Sequence, residues 1–210
     1  SQYTQQFVIH GNDPQYWKNL IFQRALRKRP DIWIEGRQEV ILATSGMYLW
    51  RSETKFINNF LKTKENMLNG IDLGCSNKKK ISYAVGIDQN RCGGKTPEIV
   101  WDGTQELPFR DETLDFICGS HIIEHIKDPV QAIEDWLKKL RSGGVLLLIV
   151  PHKKYIPNIG TPDGYPTHVA DYLPEDFIKI VLENIKIKYK LSSFNNINNS
   201  WSFDCFLEKI

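Results

Sequence analysis

Residues Val145–Val150 read Val-Leu-Leu-Leu-Ile-Val, and this unbroken aliphatic run constrains the fold more than any other stretch. A strand with one wet face alternates polar and apolar side chains. A continuous run belongs to a strand covered on both faces, and so to a parallel sheet flanked by helices. The run is far shorter than the ~20 residues that a membrane helix requires, so no membrane association is expected. Just upstream, Asp128-Pro129 pairs a helix N-cap with proline at the first helical position. Val130, Ile133, Leu137 and Leu140 fall on one helical face, and Ser142-Gly143 supplies a C-terminal stop.

The same rhythm extends back to Gly70. Gly70–Leu73 reads as a strand turning at Gly74, Tyr83–Ile87 as a second strand ending at Asp88, Glu98–Trp101 as a third and Leu114–Cys118 as a fourth. Beyond the aliphatic run, Pro174-Glu175-Asp176 opens a helix. Ile185, Ile187, Tyr189 and Leu191 then alternate with lysines as a half-exposed strand. Asn195–Ser200 is turn material, and Trp201, Phe203, Cys205 and Leu207 alternate through a last strand, so the two form an antiparallel hairpin. Before Gly70 the pattern is helical: one segment carries Trp17, Leu20, Ile21 and Ala25, and a second, Glu53–Lys64, carries Phe56, Ile57, Phe60 and Leu61. The expected organisation is a helical cap over residues 1–68 and a sheet domain over residues 69–210.

Charge narrows the partners. The 27 Lys+Arg and 25 Asp+Glu leave a net charge of only +2, which argues against a dedicated nucleic-acid or anionic-membrane protein. Cys75, Cys92, Cys118 and Cys205 are widely spaced with no C-x-x-C pair. They read as reduced thiols rather than a disulfide frame or zinc site, and the N-terminal residues lack the pattern of a signal peptide. A cytoplasmic location is the expectation.

In an open parallel sheet, ligands bind at the carboxyl ends of the strands, and here four such ends carry polar or glycine-containing signatures. They are Asp72-Leu73-Gly74-Cys75-Ser76-Asn77, Asp88, Trp101-Asp102-Gly103 and Gly119-Ser120-His121. A carboxylate at Asp88 is placed to accept both hydroxyls of a ribose, and Gly74 allows a tight turn that a ligand can approach closely.

The segments GIDLGCSN, VGIDQN, WDGTQELPFRDETLDFICGSHIIEHIKDP and LRSGGVLLLIVPH, all within residues 70–152, resemble the class I S-adenosylmethionine-dependent methyltransferases of the kind with an EH-x-x-D-P stretch after the fourth strand. The resemblance implies a Rossmann-like, doubly wound, mostly parallel α/β sheet with an antiparallel C-terminal strand. It implies S-adenosylmethionine as cofactor, with Asp72, Gly74 and Ser76 around its amino-acid end, Asp88 on the ribose, Asp102 and Gly103 at the adenine, and Ser120 with His121 along the methionine part. Two departures stand out. Ser76 replaces a glycine of that family. Only 14 positions separate Gly74 from Asp88, so Lys78-Lys79-Lys80 and Ser82 form a polar loop where a helix is usual, and the lysines become candidate point charges for the cofactor carboxylate.

Methyl transfer from a sulfonium depends mostly on positioning, although an oxygen acceptor can require a base near neutral pKa. His121, His152 and His168, each at or after an expected strand end, are the candidates. The long loop Pro151–Tyr172, with Tyr155, Tyr165, His168 and Asp171, is a candidate substrate wall, and Trp17, Trp33, Tyr48 and Trp50 are candidate stacking residues in the cap. A small-molecule acceptor such as a sugar is expected, with a catalytically degenerate scaffold or an RNA methyltransferase as alternatives. His121-Ile122-Ile123-Glu124-His125 also fits the H-x-x-E-H metalloprotease pattern. A metal site is not expected there, because little helix follows the strand and no third ligand is evident. His125 is read as a structural hydrogen-bonding residue and Glu124 as lining the cleft. A nicotinamide dehydrogenase is excluded at the first turn, which lacks the second and third glycines of G-x-G-x-x-G.

Overall fold

The computed structural model describes residues 52–76, 78–90, 97–154, 159, 166–197 and 201–210. The expected helix around Trp17, the aromatic residues Trp17, Trp33, Tyr48 and Trp50, the thiol of Cys92 and the loop tyrosines Tyr155 and Tyr165 lie outside the described residues.

Eight strands form one sheet among the described residues. They are β1 (Gly70–Leu73), β2 (Val85–Asp88), β3 (Ile99–Val100), β4 (Leu114–Ser120), β5 (Leu140–Pro151), β6 (Tyr189–Ser193), β7 (Asn196–Ile197) and β8 (Ser202–Lys209). Their order is β3-β2-β1-β4-β5-β8-β6, with β7 on β8. Pairing is parallel from β3 through β5 and antiparallel wherever β8 takes part. Strand order therefore reverses between β1 and β4, which opens a crevice at their carboxyl ends.

The aliphatic run sits at the centre of β5, and every residue from Val145 to Val150 is fully buried. Leu146, Leu148 and Val150 face one layer, where they meet Ile133, Trp136 and Leu137 of helix α2 (Pro129–Lys139) together with Phe177 and Val181. Phe177 belongs to helix α3 (Pro174–Ile180). Val145, Leu147 and Ile149 face the other layer, against Ile57 and Leu61 of the helix over residues 52–61. That last helix thus forms one layer of the sheet domain itself, its apolar stripe packed on Phe116, Cys118 and Phe206.

Of the element boundaries that differ from the sequence reading, two have a clear physical cause. Helix α2 begins as expected, with Asp128 Oδ1 accepting from the Gln131 amide at 3.0 Å. However, it ends at Lys139 and Leu140 is already extended, so Ser142-Gly143 is not the stop. Leu140 pairs with Leu114 of β4, and the register then slips before Val145 meets Phe116. The glycines lie in that slip. Gly143 has φ +74°, and a Cβ on Gly144 would come within 2.9 Å of the Arg141 carbonyl oxygen and 3.1 Å of two β4 carbonyl oxygens. The second difference is at β6, which begins at Tyr189 rather than Ile185. A 3-10 turn at Leu182–Asn184 ends in Ile185, and only Tyr189 onward pairs with β8.

A close approach on β1 gives the first testable outcome. A Cβ at Gly70 would overlap the ring carbons of Phe116, which is fully buried in the adjacent strand. Gly70→Ala is expected to destabilise by ~1–3 kcal/mol through overpacking, which calorimetry would register as a Tm lowered by several degrees. An unchanged Tm would contradict the packing described.

Candidate functional site

The turn after β1 is built from backbone strain and backbone hydrogen bonds. Gly74 has φ +64° and Ser76 φ +52°, so both occupy the left-handed region that favours glycine. The Gly74 amide donates to the Ile87 carbonyl at 2.8 Å, and the Ser76 amide donates to Asp88 Oδ2 at 2.9 Å. Asp88 Oδ1 accepts from the Asn90 amide at 3.0 Å. The β1 turn and the end of β2 are thereby locked together, with the Asp88 carboxylate fixed at the strand end. Ser76 stands in the conformation that a second glycine of the motif would supply, at the steric cost a side chain meets there.

No helix lies between β1 and β2 among the described residues, in line with the short spacing. The Asp72 carboxylate holds this loop instead. It is buried and its Oδ2 accepts from the amides of Lys80 and Ile81. Burial outweighs these two donors and pushes Asp72 up to about 6. Between about pH 4 and pH 6 the folded state therefore holds a proton that the unfolded chain has released. Stability attributable to this group falls as pH rises through that window, by at most ~3 kcal/mol at 1.36 kcal/mol per unit. Urea unfolding of the wild type against Asp72→Asn is expected to show the wild type losing relative stability from pH 4 to pH 6; parallel curves would refute this.

The lysines that follow are committed elsewhere. Lys79 Nζ donates to the Ala84 carbonyl at 2.7 Å and pairs with Glu98, while Lys80 Nζ pairs with Glu53 Oε2 at 3.2 Å. The expectation that these two act as point charges for a ligand carboxylate gives way to a structural role.

The remaining sequence-predicted residues follow the carboxyl ends of β3 and β4. Asp102 Oδ1 accepts from the amide and hydroxyl of Thr104 at 2.9 and 2.7 Å, which leaves Oδ2 with no donor among the described residues. The Gly103 carbonyl accepts from Trp136 Nε1 at 3.2 Å. Ser120, at the end of β4, presents a buried hydroxyl with no partner among the described residues. Gly74, Gly103 and Gly119 converge on one side chain, since a Cβ on any of them would contact Ile122.

His121 follows directly with φ +57°, a strained backbone of the kind that functional sites retain. Its Nε2 lies 2.9 Å from Glu53 Oε1. Glu53, on the first turn of α1 (residues 52–61), is buried and also accepts from Ser202 Oγ at 3.0 Å. Burial works to raise its pKa, but His121 and Lys80 overcome this and hold it well below the usual carboxylate range. Burial likewise lowers His121, yet the Glu53 carboxylate prevails and raises it. Glu53 was missed in the sequence, although it lies three and four positions before Phe56 and Ile57 on the apolar face, and a carboxylate there is a signal of pairing.

The structure brings His121 and His168 together around Glu124 and leaves His152 apart. Glu124 Oε1 lies 3.7 Å from His121 Nδ1, 3.8 Å from His125 Nε2 and 3.9 Å from His168 Nε2. His168 arrives there because the Glu124 carbonyl accepts from the amides of Val169 and Ala170 at 2.9 and 3.2 Å. Burial holds His168 below its ordinary pKa despite a 2.7 Å bond from Nδ1 to Asp171. His152 is also lowered by burial. Its Nδ1 accepts from the Lys154 amide at 3.2 Å, and its ring stands edge-on to Phe203. His125 Nδ1 donates to the Thr167 carbonyl at 2.9 Å, the structural hydrogen bond expected of it. Glu124 to His125 lies on a 3-10 turn, Ile123–His125, so the H-x-x-E-H spacing is not presented by an α-helix. His168, far away in the sequence, is brought to the same carboxylate by the fold.

Residues 68–148 match a family model described as a methyltransferase domain. A tRNA (carboxymethyluridine(34)-5-O)-methyltransferase of Saccharomyces cerevisiae is 33% identical over 108 residues, covering 44% of this chain and 38% of its own. A Mycolicibacterium smegmatis protein described as a "Probable S-adenosylmethionine-dependent methyltransferase" is 34% identical over 58 residues, covering 27% of this chain and 23% of its own. The chain thus spans well under half the length of these relatives. In fold, an S-adenosylmethionine-dependent methyltransferase from Thermotoga maritima superposes with a TM-score of 0.57 at 15% identity, over 90% of this chain and 99% of that one. Residues 68–148 are thus similar to a methyltransferase domain and the fold is that of S-adenosylmethionine-dependent methyltransferases, in agreement with the strand order, the glycine turn and the Asp88 strand end.

Proposed function

We propose that this protein catalyses S-adenosylmethionine-dependent methyl transfer to a hydroxyl or amine of a small acceptor, uncharged or modestly anionic, with sugars among the candidates. The observation that carries the reading is the carboxyl edge of β1, β2 and β4. There a strained glycine turn, a carboxylate fixed by two backbone amides and a buried hydroxyl without a partner among the described residues stand at neighbouring strand ends. These groups suit the cofactor: the carboxylate of Asp88 would accept the ribose hydroxyls, and Ser120 would find its missing partner along the methionine part. Asp72, Gly74 and Ser76 would hold the amino-acid end, and Asp102 with the Gly103 backbone the adenine.

When bound, S-adenosylmethionine supplies an activated sulfonium methyl. The chain's own task is to orient the acceptor and to receive a proton where the acceptor carries one. His121, half-buried at the end of β4 and oriented by Glu53, is the residue we assign to face the acceptor, with His168 behind it beside Glu124. His152 points into a separate set of neighbours and is the weakest of the three candidates. No helix among the described residues is long and apolar enough to cross a membrane.

A second reading takes RNA as acceptor, on the strength of the yeast relative's name. Incubation with radiolabelled S-adenosylmethionine and, in parallel, a panel of sugars and small hydroxy acids or unmodified tRNA separates the two. Label in the small-molecule fraction supports the reading given first, and label in RNA alone replaces it with the second. No label together with no cofactor-induced rise in Tm would leave a scaffold that does not bind the cofactor.

A further inference from the structure

The carboxylate of Glu124 is 1% exposed, and neither of its oxygens has a hydrogen-bond partner among the described residues. An ionised carboxyl in such a place carries a desolvation cost of several kcal/mol unless a cation or donor meets it. Three imidazoles surround it at 3.7–3.9 Å, too far for direct hydrogen bonds. The far nitrogen of each ring is already committed to an acceptor: His121 Nε2 to Glu53, His125 Nδ1 to the Thr167 carbonyl and His168 Nδ1 to Asp171. A carbonyl or ionised carboxylate only accepts, so each far nitrogen carries the proton, and the near nitrogen of a neutral ring turns its lone pair toward Glu124. Lone pairs converging on a buried, unpartnered carboxylate leave a place for a positive ion between them. The orientation of ligating histidines by a carboxylate or carbonyl on the opposite ring nitrogen is the usual support of a metal centre.

We propose that Glu124, His125 and His168 bind a divalent first-row transition-metal ion, of which Zn2+ is the type. The ligand atoms of these three residues lie within 4.8 Å of one another. Bonds of ~2.0–2.2 Å place tetrahedral ligand atoms ~3.4 Å apart, so the two carboxylate–imidazole separations of 3.8 and 3.9 Å need close by about half an ångström, and no separation in the set by more than about 1.4 Å. Two imidazoles with one carboxylate favour zinc, iron, cobalt or manganese over magnesium and calcium, which prefer all-oxygen surroundings. His121, whose Nδ1 also faces Glu124, stands at the margin as a further donor. Three protein ligands leave at least one coordination position open, as catalytic rather than structural sites do. The set sits at the carboxyl end of β4, beside Ser120. The metal site stands on these residues alone and does not depend on the methyl-transfer reading.

The full chain, free of any histidine tag and stripped with a chelator, is titrated with Zn2+ by calorimetry, bound metal is counted by elemental analysis, and Co2+ is used as a spectroscopic probe. One metal per chain and visible ligand-field bands from Co2+ are expected. Glu124→Gln should weaken Zn2+ binding at least 100-fold and abolish the Co2+ bands. Asp171→Asn, which alters the support behind His168 and not a ligand, its other oxygen accepting from the Ile159 amide, should weaken it by ~10–100-fold. If circular dichroism shows Glu124→Gln to be unfolded, Asp171→Asn and His125→Gln carry the test. Absence of stoichiometric metal in the wild type, preference for Mg2+ over Zn2+, or undiminished binding in the folded variants would each overturn the proposal.

Discussion

Asp88→Ala is expected to remove nearly all cofactor-induced stabilisation. At 100 times its dissociation constant, S-adenosylmethionine should stabilise the wild type by ~2.7 kcal/mol, a rise in Tm of roughly 5–11 °C for a chain of this size. Two hydroxyl bonds to a carboxylate are worth ~1.5–3 kcal/mol each, so their loss weakens binding at least ~100-fold. The same cofactor concentration then stabilises by only about 0.4 kcal/mol. Differential scanning fluorimetry with and without the cofactor reads this directly. Asp88 also anchors the amides of Ser76 and Asn90, so the variant's Tm without cofactor serves as the control for a merely loosened turn. A full cofactor shift in Asp88→Ala would refute the assignment of ribose binding to this residue.

The second large effect concerns Glu53. Glu53→Gln leaves the Lys80 ammonium, and the His121 imidazolium when protonated, without their buried counter-charge. Breaking such a group from one side costs ~3–5 kcal/mol, a fall in Tm on the order of 10 °C. The pH dependence follows from the two directions. Glu53 lies below its ordinary pKa, so its contribution is present above about pH 4.5 and is lost only as pH falls well below that. His121 lies above its ordinary pKa, so its contribution is complete below about pH 6.5 and is lost as pH rises through the elevated value. The gap in Tm between wild type and variant should therefore be widest between about pH 4.5 and pH 6.5. A gap of less than about 2 °C there would mean that the pair behaves as a solvated surface contact.

Local pattern carried much of the architecture. The run at Val145–Val150 announced a strand buried on both faces because no alternation was present, and its side chains do alternate between two helical layers. The Asp128-Pro129 start of α2 was legible since a cap is a local hydrogen bond. Its end was not, because Leu140 leaves the helix to pair with Leu114, and that competition is settled by the neighbouring strand. The short spacing between Gly74 and Asp88 correctly implied a loop in place of a helix. The fate of Lys79 and Lys80 was illegible, since Glu98 and Glu53 reach them from distant segments.

By itself, then, the sequence determined the order of the sheet's elements, the parallel core, the antiparallel final strand and the four polar or glycine-containing strand ends, because periodicity, caps and glycine turns act over a few residues. Only the tertiary structure decided which titratable groups meet. Glu53 reaches His121 across 68 positions, and His168 reaches Glu124 through backbone bonds to a loop more than forty residues on. Such encounters depend on chain closure and burial, and burial in turn sets the price of leaving a carboxylate such as Glu124 without a partner.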